Sequence, residues 1–218
     1  MSLKVNTENI RSIETVCACA QEQSVELDYV LPDYYPEIFR IIKCTASPKI
    51  TSCAVSGDRI SYELTVGIRV IYCSDGGSSG VHSVEQKQVF NRAVSLDSPQ
   101  ANLQPHITAA VDYVNCRAVN RRRIDIRGAV TVNVCVSGEK ETQVVCDAFG
   151  SGIQLKKVSA LCPVAMLHTA KRVTVSDEFE LDETMPPIGS VLRIGAHIER
   201  QAIKSLLRAG LPPRVILK

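Results

Sequence analysis

Apolar and polar side chains alternate over long stretches in the middle of the chain. Residues 61–72 place an apolar side chain at every second position, and a period of two is typical of a strand with one buried face. Residues 49–55 precede this strand, and between them lies the turn 56–59, where Gly57 readily supplies the positive φ of a tight hairpin. The pattern therefore predicts a β-hairpin, with its buried face formed by Tyr62, Leu64, Val66, Ile68, Val70 and Tyr72.

A second long hairpin is predicted further along the chain. Residues 106–119 and 124–136 are rich in Val, Ile and Ala and flank a polar tip at 120–123. Between the hairpins, residues 81–90 alternate as another strand, after a glycine- and serine-rich connection at 75–80 that we expect to be flexible. Long strands joined by short polar turns favour an all-β fold, an antiparallel β-sandwich.

Helix is expected only as short additions to this β fold. Residues 7–13 are predicted to form a short turn capped by Thr7, and residues 36–41 begin with a proline, which the first helical turn tolerates. Residues 199–207 space Ile203, Leu206 and Leu207 at helical distance and predict one longer helix near the end of the chain.

The sequence contains an internal repeat. The segment 28–46 returns at 178–196 with a constant offset of 150 and no gap, and a repeat of this kind determines how many structural units to expect. A flexible Gly-Ser-Gly at 150–152 separates the two copies. We therefore predict a complete β domain over 3–149 and the start of a second, incomplete copy over 153–218, which should pack on the first unit or on a neighbouring molecule. The matching positions include Leu31/Leu181, Pro36/Pro186 and Ile38/Ile188.

Composition and charge narrow the range of functions. The chain has 218 residues, 45% of them hydrophobic, and Lys+Arg 25 against Asp+Glu 23 gives a net charge of +2. This balance argues against a global field that would attract nucleic acid or an anionic membrane. The sequence shows no export signal or transmembrane stretch, so we expect a soluble protein that stays inside the cell. Its nine cysteines are odd in number and irregularly spaced, which favours reduced thiols that pack as small apolar side chains.

No residue pattern points to catalysis, a cofactor or a metal. Cys17 and Cys19 form the closest cysteine pair but lack a second pair nearby. The glycines of 75–80 lack the lysine and the following helix of a phosphate-binding loop. The four histidines are His82, His106, His168 and His197, and none of them lies in a nucleophile motif. We therefore expect a protein that is not an enzyme.

Two groups of side chains are candidates for an interaction surface. An arginine cluster at the tip of the second hairpin either lies in a solvated turn or forms a binding site for phosphates or an acidic partner. An aromatic group beside Pro32 and Pro36 either lines the core or anchors an interface. The candidate interface residues are Tyr29, Tyr34, Tyr35, Phe39, Arg121, Arg122 and Arg123.

The order of several short motifs resembles a known domain. Residues 30–33 read Val-Leu-Pro-Asp and 36–38 read Pro-Glu-Ile, followed by the Ser-Gly-Asp-Arg turn at 56–59 and by Val-Ile-Tyr at 70–72. This succession resembles the SPOCS domain, found in SipL and other spore-coat morphogenesis proteins of endospore-forming, mostly clostridial bacteria. The likeness covers about residues 3–138 and resumes from 155 to 198.

The resemblance implies a non-enzymatic scaffold that binds other spore-coat morphogenesis proteins. It also implies a location in the mother-cell cytoplasm, at the forespore surface or in the spore coat. SipL-like proteins usually end in a LysM module, which is linked to contact with the coat-basement ATPase SpoIVA. Nothing here resembles LysM, so the SpoIVA contact is not carried over.

Three further expectations stay open at this point. Exchange of the incomplete copy between two chains would produce a homo-oligomer. A carbohydrate- or peptidoglycan-binding sandwich is the alternative function, and it would need an exposed aromatic platform. A nucleic-acid binder using Arg121, Arg122 and Arg123 would show steep salt dependence.

Overall fold

The computed structural model describes most of the chain in nine ranges. The chain forms two units, Met1–Pro163 and Val164–Lys218. Most of the connection predicted at 75–80 lies outside the described residues, as do Cys162, His168 and His197. The boundary predicted at 149–153 stays a prediction. The described ranges are 4–75, 80–97, 102–159, 161, 174–178, 180–189, 191–195, 203–206 and 214–217.

The first unit is built from six antiparallel strands in two sheets. The first sheet has the order β1-β6-β5 and the second has the order β2-β3-β4, with antiparallel pairing throughout. The described residues contain no helix. The strands are β1 (Lys4–Val30), β2 (Ile38–Ser56), β3 (Arg59–Ser74), β4 (Val81–Ser95), β5 (Gln104–Asn120) and β6 (Arg123–Phe149).

The hydrophobic core is supplied mainly by the central strand of each sheet. Alternate residues of β3 from Ile60 to Tyr72 are buried, and β6 buries the corresponding face from Ile124 to Val136. Both rows belong to one hydrophobic cluster. Burial of each large aliphatic side chain contributes about 1.5–3 kcal/mol. The predicted all-β, sandwich-like architecture is confirmed.

Both predicted hairpins are present. β2 pairs with β3 up to Ser56↔Arg59, and Gly57 has φ 60° in the turn between them. β5 and β6 meet at Asn120↔Arg123, where the Asn120 side-chain oxygen accepts a hydrogen bond of 2.8 Å from the backbone N–H of Arg122.

The three predicted helical segments are wrong where the structure describes them. Residues 7–13 belong to β1 and pair with β6, and Ile38 begins β2 instead of continuing a helical turn. Within 199–207, Ile203–Leu206 forms strand β7, paired with β8 (Arg214–Leu217). In each case, pairing with another strand outweighs a weak local helical preference.

β1 and β6 extend beyond the end of the sandwich. Pairing of β5 with β6 ends at Gln104↔Ser137, whereas β1 and β6 stay paired as far as Lys4↔Phe149. Residues 4–14 and 138–149 therefore form a two-stranded ribbon beyond the third strand of the sheet. The sequence pattern had predicted that the strand corresponding to β6 ends at Val136.

The predicted repeat has one local structural counterpart. In the first unit the backbone N–H of Tyr35 donates to the carbonyl of Pro32 at 3.0 Å, and 150 positions later Met185 donates to Asp182 at 2.9 Å. The residues that follow differ, because Ile38 is 4% exposed within β2 whereas Ile188 is 61% exposed and lies in no strand. The turn is alike in both places, and the incomplete copy itself stays a prediction.

Gly128 allows a close approach between β6 and β5. A Cβ added at Gly128 would lie 2.7 Å from the backbone oxygen of Tyr113, whereas at Gly67 in β3 the nearest atom would be 3.8 Å away. We expect Gly128→Ala to lower the free energy of unfolding by about 1–3 kcal/mol, because the strands must move apart. Urea unfolding measures this loss, and Gly67→Ala is the matched control. Equal effects of the two substitutions would show that the strands accommodate the added methyl group.

Candidate functional site

The loop between β1 and β2 and the turn between β5 and β6 lie together at one end of the first unit. The backbone N–H of Leu31 donates to the carbonyl of Arg122, and that of Ile38 donates to the carbonyl of Arg121, both at 2.7 Å. These bonds hold residues 31–37, which cross from one sheet to the other, against residues 120–123. We call these two segments the tip. With the ends of β1 and β2, the tip brings all seven sequence-predicted interface residues to one end of the unit.

Arg122 fastens the loop rather than facing solvent. Its guanidinium donates to the carbonyl oxygens of Tyr35 and Asp33, each at 3.2 Å, and it lies 3.7 Å from the Asp33 carboxylate. The side chain is 31% exposed. The five donors of a guanidinium suit this task, since one planar group can bind several acceptors at once.

Replacing Arg122 by methionine should loosen the loop. The apolar stem remains, but hydrogen bonds to two backbone carbonyls are lost, so we expect the free energy of unfolding to fall by about 1–3 kcal/mol. Hydrogen exchange of residues 31–37 should accelerate. Arg121→Met is the control, because among the described residues the Arg121 side chain makes only an exposed ion pair, with Glu37 at 3.5 Å, a type of pair that typically contributes about 0–1 kcal/mol. Equal losses in both variants would contradict the fastening role.

The other two arginines of the tip face carboxylates. Arg121 pairs with Glu37, and Arg123 donates from its Nε to Asp28 Oδ1 at 2.7 Å. The hydrogen bond from Arg123 lowers the pKa of Asp28. Each arginine of the cluster therefore has an acidic neighbour, and the charges of the tip are locally balanced.

The aromatic residues divide into two groups. Tyr29 and Tyr35 are half-buried and pack on the core, and burial, followed by the proximity of Tyr34 and Tyr35, raises the pKa of Tyr29. Tyr34 and Phe39 are 81% and 68% exposed. The Tyr34 ring lies 4.7 Å from that of Tyr35, tilted by 38°. Two of the four residues therefore line the core, and the interface anchor stays a prediction for the exposed pair, Tyr34 and Phe39.

Sequence reasoning missed one support of the tip. The hydroxyl of Tyr72, a buried β3 residue, donates to the carbonyl of Pro36 at 3.0 Å, and burial raises the pKa of Tyr72. Alternation had placed Tyr72 on the core face, but nothing in the pattern indicates where its hydroxyl binds. The pairing of the arginines had a visible signal in the sequence, because Asp28, Asp33 and Glu37 supply three carboxylates for the three arginines at 121–123.

Histidine and cysteine side chains elsewhere form smaller groupings. Ser74 Oγ lies 3.2 Å from His82 Nε2, but among the described residues no carboxylate hydrogen-bonds to this imidazole to orient it as a base. Cys17 and Cys19 lie opposite the buried Val136 and Val134 on the core face of β1. The part of the chain that the structure describes holds no group of three or more potential metal ligands among His, Cys, Asp and Glu. Within the same ranges, no helix has the length and apolar character needed to cross a membrane.

Fold and tip together define the class of protein: an all-β sandwich that presents exposed aromatic side chains near the loop joining its two sheets. Residues 37–119 match the family model described as SipL, SPOCS domain, so this part of the chain is similar to that domain. The match runs from Glu37 in the tip to Val119 in β5, so the resemblance seen in the sequence is confirmed. It suggests a sporulation-related role in protein interaction. Neither the curated proteins nor the solved structures yielded a match.

Proposed function

We propose that the chain is a non-enzymatic scaffold module of spore-envelope assembly that binds other envelope proteins through the tip. The observation that carries the proposal is the exposure of Tyr34 and Phe39, 81% and 68%, at the start of the segment 37–119 that matches the SPOCS family model. Large aromatic side chains are enriched among the residues that dominate binding energy at protein interfaces.

The tip is suited to binding because its loop is held in place before a partner arrives. The backbone bonds of Leu31 and Ile38 to the β5–β6 turn, the contacts of Arg122 with two loop carbonyls and the Tyr72–Pro36 bond all restrain residues 31–37. A restrained loop loses little conformational entropy on association, so more of the contact energy becomes affinity.

The charge pattern of the tip supports a protein partner over nucleic acid. Arg121, Arg122 and Arg123 each lie beside a carboxylate, which leaves apolar contact as the main source of affinity. The partners we propose are other spore-coat morphogenesis proteins or a second copy of this chain.

The proposed location follows from the same role. We infer that the chain acts in the mother-cell cytoplasm and accumulates at the forespore surface or in the coat. A fluorescent fusion in a sporulating endospore-former should become a ring or cap around the forespore, and deletion of the gene should leave a misassembled coat. A fusion that stays diffuse, together with an intact coat in the deletion strain, would contradict the proposal.

A further inference from the structure

Edge strands of the two sheets meet along one side of the sandwich. β2 is an edge of the second sheet and β5 is an edge of the first, and these strands pack against each other. We call their line of contact the β2–β5 seam. Among the described residues, no side-chain hydrogen bond joins these two strands.

Two cysteines point into this seam from opposite sheets. Cys44 pairs across β2–β3 with Val70, and Cys116 pairs across β5–β6 with Ile126. Directly opposed residues of an antiparallel pair point to the same face, and both Val70 and Ile126 are buried. Cys44 and Cys116 therefore face the core side of their sheets, where both are partly buried against the same hydrophobic cluster.

The two thiols lie at the same level of the seam. Ile38 of β2, six residues before Cys44, is hydrogen-bonded to Arg121, five residues after Cys116, so the packed strands bring the two side chains together. The proximity of Cys116 lowers the pKa of Cys44 although burial opposes this, and the proximity of Cys44, with burial, raises the pKa of Cys116 far above its ordinary range. Cys44 is accordingly the thiol that ionises first, and the thiolate is the nucleophilic form of cysteine.

We propose that Cys44 and Cys116 are an oxidation site at which a disulfide fastens the two sheets together. The oxidant class is a hydroperoxide, with hydrogen peroxide as the simplest member. The Cys44 thiolate attacks one peroxide oxygen, the O–O bond breaks, and Cys44 becomes a sulfenic acid, while the hydroxide that leaves takes up the proton that the Cys44 thiol released and becomes water. The Cys116 sulfur then attacks the Cys44 sulfur, the S–S bond forms and a second water leaves. Two thiols are oxidised and one peroxide is reduced to two waters.

The opposite side of the sandwich shows why this link would matter. There, β1 and β4 are joined by hydrogen bonds from Arg92 to Gln23 at 2.8 Å and from Gln88 to the Glu26 carbonyl at 2.7 Å. The β2–β5 seam relies on packing and on the thiol pair. A disulfide there adds a covalent link and restricts the unfolded chain, an effect that grows with the length of the closed loop.

The test uses the full chain, reduced and then treated with about one equivalent of hydrogen peroxide. We expect a mass loss of two hydrogens, a peptide map containing a Cys44–Cys116 disulfide, and a melting temperature raised by roughly 5–15 °C that returns on reduction. A map that shows both thiols free or over-oxidised overturns the proposal, and so does a linked protein whose melting temperature is unchanged.

Substitutions separate this pair from the other cysteines. Cys44→Ser and Cys116→Ser should each abolish the mass loss and the thermal shift, whereas Cys53→Ser, at an exposed position of the same strand, should retain both. Loss of the shift in Cys53→Ser, or its persistence in Cys44→Ser, overturns the assignment. If a seam variant fails to fold, the peptide map of the unsubstituted protein decides alone.

Discussion

Replacing Leu64 by alanine is expected to lower the free energy of unfolding by about 2–5 kcal/mol, the range typical of a buried leucine. Leu64 lies in the middle of β3 with no exposed surface, and its neighbours across the sheet are Ile50 and Phe90. The loss combines the apolar surface no longer buried with the cavity that the surrounding strands cannot close.

Urea unfolding followed by circular dichroism measures this loss, and Val89→Ala is the matched control. Val89 lies on the adjacent strand β4 but is 54% exposed, so its substitution should change the free energy of unfolding by about 0.5 kcal/mol or less. Comparable losses for Leu64→Ala and Val89→Ala would mean that β3 does not form the centre of the core.

The pattern around Leu64 also shows how far sequence alone reaches. Alternation over residues 61–72 identified the buried face of β3 correctly, because a strand against a single core must place every second side chain inward. The turn at Gly57 and the tip of the second hairpin were equally local features, and both are confirmed. A β-hairpin can be predicted because its two strands and its turn are neighbours in the sequence.

Features that depend on distant pairing were not predicted. Arg122 binds the carbonyl of Tyr35 across 87 positions of the chain, and no local pattern specifies this contact. The ribbon was missed because residues 139–143 read Glu-Lys-Glu-Thr-Gln, with no apolar alternation, and they are held in β6 by backbone bonds to β1. Residues 7–13 were predicted to form a helical turn because they also lack apolar alternation.

The candidate site was predicted as a set of residues but not as a geometry. Sequence named the aromatic and arginine groups separately, and the structure joins them through Arg121 and Arg122, whose carbonyls accept bonds from the β1–β2 loop. The division of the aromatics into buried and exposed pairs depends on how that loop folds over the core, which composition does not reveal.

The double substitution Tyr34→Ala and Phe39→Ala is expected to weaken binding to a solubilised spore-envelope protein fraction by about 30-fold or more, as aromatic hot spots contribute about 2 kcal/mol or more. Both side chains are largely exposed, so the free energy of unfolding should change by about 1 kcal/mol or less. Immobilised full-length protein and quantitative capture at two salt concentrations provide the measurement.

Exposed aromatics elsewhere supply the control for this variant. Tyr113 and Phe149 are 53% and 52% exposed, on β5 and at the end of β6, and Tyr113→Ala with Phe149→Ala should leave binding unchanged. If the control pair weakens capture as much as the Tyr34 and Phe39 pair, general hydrophobicity explains the binding. A steep salt dependence that Arg121→Met and Arg123→Met remove would point to charge instead.

The most direct test of the account is a footprint of the bound surface by hydrogen–deuterium exchange. The full chain is compared alone and together with the envelope fraction that it captures. We predict slower exchange on binding in residues 31–39 and 120–123, with little change in the ribbon at 4–14 and 138–149. Protection confined to the ribbon, with an unchanged tip, would contradict the claim that the chain binds its partners through Tyr34 and Phe39.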